Sequence, residues 1–339
     1  MHESTLIALR PLASLKLTLA GIIALLCGVL LAYFSADQSS IYIVAPLLLL
    51  AVNLLAAIVF NPRIRQNSGL LMFHICLLMI AVLTLLSQLT SMKGRVEVTQ
   101  GTAFDAGSVT VLEQGVWHTL DELRQVDFVQ GDIQVQYTAG LRRGPTRSQL
   151  QLDDNDTIVV GDNLAFESHG YRFYTTSNKG FAALVNWHAK DGGIEPGSIH
   201  FPSYPLFDWK QQNQWQAPTG EQLEFQLVID TPLDPEHDWL LQSVERGGYL
   251  VVTLPGGVKH TVAPGETIEL DNGLLEFEAI RMWMGYKIFY DPWLVWFFAA
   301  ALVGVAGIAW HYFLKLSSAG NRRSAVDRKA GRGRVVTTS

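Results

Sequence analysis

Leu70-Leu-Met-Phe-His-Ile-Cys-Leu-Leu-Met-Ile-Ala-Val-Leu-Thr-Leu-Leu-Ser-Gln-Leu89 runs without a full charge. A helix of that length rises about 30 Å, the thickness of a bilayer's hydrocarbon core, so the stretch reads as a membrane span. Three more stretches read the same way. Leu15 to Phe34 is uncharged apart from Lys16 at its edge, where the amine can snorkel to the interface. Ile41 to Phe60 carries no charge and one amide, Asn53. Trp293 to Leu314 is uncharged, with aromatic residues at both ends in the manner of an interfacial belt. Leu15 to Phe34 also has a signal-like look, with Ser35-Ala36 near a cleavage position. Its apolar core exceeds the roughly 7–15 residues of a signal h-region and a second span follows at once, so a retained span is expected.

Composition agrees. Apolar residues make up 49% of the chain and charged residues only 17%, below the globular norm of about 25% charged. Charge then gives an orientation. Ser91 to Tyr290 holds 27 Asp and Glu against 14 Lys and Arg. The other 11 basic residues fall before the first span (Arg10, Lys16), between the second and third (Arg63, Arg65) and after the fourth, from Lys315 to Arg334. Basic loops stay in the cytoplasm, so both termini are expected inside and the acidic segment outside. The expected architecture is an α+β membrane protein in a bacterial inner membrane. A cytoplasmic N-terminus covers 1–14, and three spans at 15–34, 41–60 and 70–89 make up a block of 15–90. An extracytoplasmic (periplasmic) all-β domain covers 91–290, a fourth span lies within 291–316, and a basic cytoplasmic tail covers 317–339.

Within 91–290 the pattern is that of strands. Ser108–Leu112, Asp132–Tyr137 and Glu221–Val228 alternate polar and apolar residues with period two, and Tyr171–Thr175, Gly248–Leu254 and Leu274–Ile280 add β-branched and aromatic content. Turn signals at Asp153–Asp156, Asp191–Gly193, Pro255–Gly257 and Asp271–Gly273 separate them. An antiparallel sandwich or open barrel fits, with room for two subdomains. The tail from Ser317 is basic and rich in small residues, which suggests an unstructured segment lying on anionic lipid.

Chemistry-bearing residues are few. Cys27 and Cys76 both lie in spans, and no C-x-x-C or C-x-x-C-H occurs, so the chain is neither a thiol-redox protein of the usual kind nor a c-type cytochrome. No Gly-x-Ser-x-Gly or phosphate-cradling loop is present, and no residue is assigned a catalytic role. The acidity and the membrane anchoring argue against nucleic acid as a partner. His74 stands out as an ionisable residue inside a span, on one helix face with Ala81 and Gln88. It either hydrogen-bonds a neighbouring span or serves as an axial ligand to haem iron, since neutral imidazole is a common ligand. His311 is the weaker candidate at a similar depth, and Trp310-His-Tyr312 also reads as an ordinary aromatic belt. His118, His169, His188, His200, His237 and His260 are scattered without zinc-type spacing.

Three segments resemble the ResB-like (CcsB) family of System II cytochrome c maturation proteins: Leu12-Ala-Ser-Leu-Lys-Leu-Thr-Leu-Ala20 at the first span, Phe73-His-Ile-Cys-Leu-Leu-Met79 in the third, and Gly285-Tyr-Lys-Ile-Phe-Tyr-Asp-Pro292 before the last. The resemblance implies a subunit that, with a CcsA (ResC) membrane protein carrying a Trp-rich haem-handling loop, moves haem b across the membrane. The pair then presents it for attachment to the C-x-x-C-H of an apocytochrome c. By that resemblance His74 is the haem ligand, and the chain is a non-autonomous part of a haem lyase, because it has no Trp-rich loop of its own. The chain departs from the family in a shorter outer domain and in Trp293 after Asp291-Pro292. The rival expectation is a membrane-anchored scaffold or assembly factor for an exported enzyme, without haem.

Overall fold

The structure is a computed structural model that describes residues 10–35, 41–152, 156–190, 192–218, 220–230, 234–242, 247–270 and 273–332, with 318–332 described as backbone. Parts of the expected connections at 35–40, 153–156, 191–193 and 271–273, and the tail beyond 332, lie outside the described residues. Four long apolar helices, three before and one after a large all-β domain in chain order, are long enough to cross a membrane. They are α1 (Leu15–Phe34), α2 (Ile41–Phe60), α3 (Ser68–Thr90) and α4 (Leu294–Arg332). A single helical turn, Pro62–Arg65, follows α2, capped by the Asn61 side chain, which accepts from the Arg63 N–H. Where the composition of the tail suggested no structure, the α4 backbone stays helical through Arg332. The segment contains Ala, Lys and Arg, which all favour helix.

The helical unit is held by small residues and a few buried polar groups. On α1 the buried residues are Gly21 and Gly28. A Cβ at Gly28 would lie 2.0 Å from the carbonyl oxygen of Tyr42. That carbonyl's intrahelical partner would be the N–H of residue 46, which Pro46 lacks. A bare Cα–H is what can approach it. Asn53 of α2 is buried with both amide hydrogens and its oxygen engaged. Its amide donates to Leu12 O and Ser14 O, and its oxygen accepts from Thr18 Oγ1 at 2.7 Å. In the membrane an unpaired amide would cost several kcal/mol, so Asn53 pins the N-terminal end of α1 to α2.

The second unit is the β domain, Met92–Leu112 with Thr119–Tyr290. Its strands are β1 (Met92–Thr99), β2 (Thr110–Gln114), β3 (Val129–Thr138), β4 (Arg142–Gln151), β5 (Thr157–Gly161), β6 (Phe166–Ser168), β7 (Tyr171–Ala189) and β8 (Ile194–His200). β9 (Gln212–Gln216), β10 (Gln222–Ile229), β11 (Trp239–Leu241), β12 (Gly248–Thr253), β13 (Lys259–Val262), β14 (Thr267–Leu270) and β15 (Gly273–Tyr290) follow. They form one seven-stranded sheet, ordered β2-β1-β15-β7-β6 with β14 and β8 alongside, and two four-stranded sheets, β13-β12-β10-β9 and β11-β3-β4-β5. Buried side chains from all three sheets belong to a single core that includes Val96, Val135, Phe173, Phe225 and Val252. Apart from Ser91 and residues 113–118, the 200-residue segment is therefore one unit rather than two subdomains.

The spine is the antiparallel pair β7–β15, running from Tyr171 opposite Tyr290 to Ala189 opposite Gly273. One of its two irregularities falls between Met284 and Tyr286, where Thr176, Ser177 and Asn178 bulge opposite Gly285. The Thr176 hydroxyl donates to Gly285 O at 2.9 Å and accepts from the Asn178 N–H at 3.1 Å. A Cβ at Gly285 would stand 2.9 Å from that hydroxyl, so the bulge requires glycine.

Candidate functional site

His74 lies in the first half of α3 and is half-buried. Its Nδ1 is 2.7 Å from Leu70 O, the carbonyl one turn back. A carbonyl only accepts, so Nδ1 carries the hydrogen and the neutral ring has its free lone pair on Nε2. The Phe73 ring meets the imidazole edge-on at 5.5 Å between centroids. At about 100° per residue, His74 shares its stripe with Leu78, Ala81 and Leu85. Those three pack against Leu47 and Ala51 of α2, so His74 continues the α2-facing side of α3.

A different stripe of α3 meets α4. A Cβ at Gly69 would lie 2.7 Å from Gly307 O and 2.8 Å from His311 N, and one at Gly304 would lie 3.1 Å from the Cys76 Cβ. Gly69 and Cys76 face α4, and Ala300, Gly304, Gly307 and His311 form the matching row on the other helix. His311 is thus level with Gly69. His74 stands five residues further along α3, about 7.5 Å in rise and about 140° around the axis. The His311 backbone therefore packs on a side of α3 different from the one His74 occupies.

At the other end of α3, Asp291 joins that helix to the start of α4. Its carboxylate accepts from the Ser87 hydroxyl at 2.7 Å and from the Trp293 N–H at 3.0 Å, and the Trp293 indole N–H donates to Thr90 Oγ1 at 2.9 Å. The Asp-Pro segment therefore opens α4 with an Asx-type turn and ties it to the end of α3.

The β domain carries a second, independent candidate that the histidine spacings did not reveal. An open groove of about 1310 Å³ is lined by Arg95, Glu97, Thr99, Ser198, His200 and Lys287, among others. His200 Nδ1 is 3.0 Å from Glu97 Oε2, and its Nε2 is 2.7 Å from the Thr99 hydroxyl, which in turn lies 2.7 Å from Ser198 Oγ. The Glu97 carboxylate accepts, so His200 Nδ1 donates. Thr99 and His200 belong to β1 and β8, which β15 and β7 separate in the sheet. Flat strands three steps apart would be about 14 Å apart, so the sheet curls here. The Trp283 indole stacks on the His200 ring at 5.3 Å. Glu97 and Thr99, and likewise Ser198 and His200, are two apart on a strand and share its face. That period-two polar pairing was the only sequence signal for the cluster.

Lys179 is another group that only the structure reveals. It is 2% exposed, with Nζ 5.6 Å from the centroid of the Tyr137 ring. Burial, aided by the nearby Arg143 charge, pushes its amine down to about 8. Among the described residues, no group of three or more His, Cys, Asp or Glu side chains gathers as a metal site. Compared with known proteins, the chain matches no family model and no curated protein.

Proposed function

We propose that this protein is a haem-handling subunit of a membrane cytochrome c synthase, working with a CcsA-type partner and an apocytochrome c. The observation that carries this reading is the imidazole of His74, set in an apolar span with Nδ1–H on the Leu70 carbonyl. A histidine so held keeps one tautomer and leaves Nε2 as the ligating atom, the arrangement used by metal-binding imidazoles. Haem is the substrate carried, and His74 is the residue on this chain that would hold it. The charge distribution supports an inner-membrane orientation with cytoplasmic termini and a periplasmic β domain. The domain's net charge of −13 would attract a basic segment of the apocytochrome.

The scaffold reading is favoured by a different observation. Gly285, Tyr286 and Asp291, the residues that carry much of the family resemblance, each have a packing role that needs no haem. An absorption spectrum of the detergent-purified chain, co-expressed with its CcsA-type partner, separates the two. A reduced b-type Soret band that weakens in His74→Ala and returns with added imidazole supports haem ligation. Haem retained unchanged in the variant removes His74 from the mechanism, and absence of haem from both proteins favours the scaffold.

A further inference from the structure

Segment 113–118 begins with the last two residues of strand β2 and leads on to the rest of the β domain in sequence, yet it belongs to the helical unit. It is fastened to the last turn of α3. The Gly115 N–H donates to Ser91 O at 2.9 Å, and the Trp117 N–H donates to Leu89 O at 2.8 Å. The His118 Nδ1–H donates to Thr90 O at 3.0 Å. These contacts satisfy the carbonyls of Leu89, Thr90 and Ser91 at the C-terminus of a helix, where no further turn supplies donors. The fit is close: a Cβ at Gly115 would lie 2.3 Å from the Leu89 carbonyl carbon and oxygen.

What this docking presents outward is apolar. Val116 is 72% exposed and Trp117 64% exposed, on a loop of which Gly115 and the partly buried His118 form the inner side. Desolvation holds the His118 pKa below its ordinary value, the bond to Thr90 O notwithstanding, so the tip is uncharged at neutral pH. Exposure alone gives no reason for this placement, since Trp209 of the β domain is 74% exposed as well. The height of the loop supplies the reason. It is bonded to the residues at which an apolar span ends, and Trp293 is bonded to Thr90 of the same turn, with Trp296 61% exposed one turn further along α4. Tryptophans collect at that level because the ring is apolar and its N–H prefers the headgroup region.

We propose that Val116 and Trp117 form an interfacial anchor, a loop that inserts its two apolar side chains into the bilayer surface at the C-terminal end of α3. Its partner is lipid, because the apolar tip is bonded to the residues at which an apolar span ends, the level at which Trp293 also lies. The anchor holds the chain that leaves α3 at a set height over the membrane, in addition to the covalent tether.

Site-directed spin labelling tests it on the full-length protein in phosphatidylcholine–phosphatidylglycerol liposomes, in a Cys27→Ala, Cys76→Ala background. Reporters at Val116→Cys, Leu302→Cys and Glu195→Cys sample the loop, the exposed middle of α4 and an exposed strand position of the β domain. The expected result is an oxygen-to-nickel-chelate collision ratio at 116 severalfold above that at 195 and below that at 302. Adding Gly115→Val, which forces the loop off Leu89, should bring the ratio at 116 down to that at 195 while leaving 302 unchanged. A ratio at 116 equal to that at 195 without Gly115→Val overturns the proposal. So does a label shielded from both reagents, which would place protein rather than lipid against the loop.

Discussion

The hydroxyl of Ser87 donates to the carboxylate of Asp291 across 2.7 Å, joining residues 204 positions apart in the chain. One belongs to the last turn of α3, and the other opens α4. Between them in sequence lies the β domain. The bond sets where α4 begins relative to where α3 ends. Asp291 also bonds the Trp293 N–H, so a single carboxylate both shapes the start of α4 and docks it.

Asp291→Ala should remove both functions. A lost Asx or capping interaction costs about 0.5–2 kcal/mol, and the orphaned Ser87 and Trp293 donors add to it. The thermal unfolding midpoint in detergent should fall, and Asp291→Asn, whose single amide oxygen can replace only one of the two carboxylate oxygens that accept from Ser87 and Trp293, should recover only part of the loss.

Gly69→Val should separate α3 from α4. The added Cβ would meet Gly307 O at 2.7 Å and His311 N at 2.8 Å, both backbone atoms that cannot rotate away. Overpacking of this kind costs about 1–3 kcal/mol or more. Unfolding midpoints should show the loss, and Gly21→Val should be tolerated better, since what it meets is the flexible end of the Leu50 side chain.

Tyr286→Phe should destabilise the β domain by about 1–3 kcal/mol. The tyrosine hydroxyl donates to Gln130 Oε1 at 2.6 Å and contacts Ser148 Oγ at 2.6 Å, while Gln130 Nε2 donates to Ser148 Oγ at 2.8 Å, closing a buried ring of three. Deleting the Tyr286 hydroxyl leaves Gln130 Oε1 and the Ser148 hydroxyl hydrogen without that partner, while the Gln130 Nε2–Ser148 bond survives. Denaturant unfolding followed by tryptophan fluorescence gives the number, and Gln130→Leu combined with Tyr286→Phe should cost less than the two changes added separately.

Lys179→Met should stabilise the protein and flatten its pH dependence. The folded state holds this amine at about 8 against an ordinary 10.5, so between those values the unfolded chain binds more protons. Stability therefore rises with pH through that window, is fully restored above 10.5, and is lost as pH falls through 8. Replacing the lysine by an apolar side chain of similar length should raise stability near pH 7 by about 1–3 kcal/mol. Unfolding midpoints at pH 7, 8, 9 and 10 should climb in the wild type relative to the variant.

His311→Ala should leave any haem spectrum of the purified complex in place while His74→Ala weakens it. The His311 backbone packs level with Gly69, on a side of α3 about 140° around the axis from His74. Equal loss of the Soret band in both variants would show that both imidazoles serve one iron, and would count against the placement described above.

Much of this protein was legible as sequence because the bilayer imposes simple rules. About 30 Å of hydrocarbon demands long uncharged helices, and Leu15–Phe34 and Ile41–Phe60 came out with the boundaries the residues implied. Period-two alternation marked β3 and β10, because a strand buries every second side chain, and it also marked β2, whose residues are all exposed; β12 was marked by β-branched and aromatic content. β1 alternates as regularly but was hidden by the end of the span it follows.

Tertiary structure decided the rest. Hydrophobic patterning says which side of an element is buried and not what it meets, so the sequence alone left the number of β cores open between one and two. It could place His74 and His311 at similar depths, but the sides of α3 they occupy depend on Gly69, Gly304 and Gly307 letting two helix backbones touch. The Glu97–Thr99–His200–Ser198 cluster joins strands a hundred residues apart, and Lys179 is buried only because β7 runs through the core. Such contacts depend on how distant segments pack. A local period records only whether a residue is turned inward or outward.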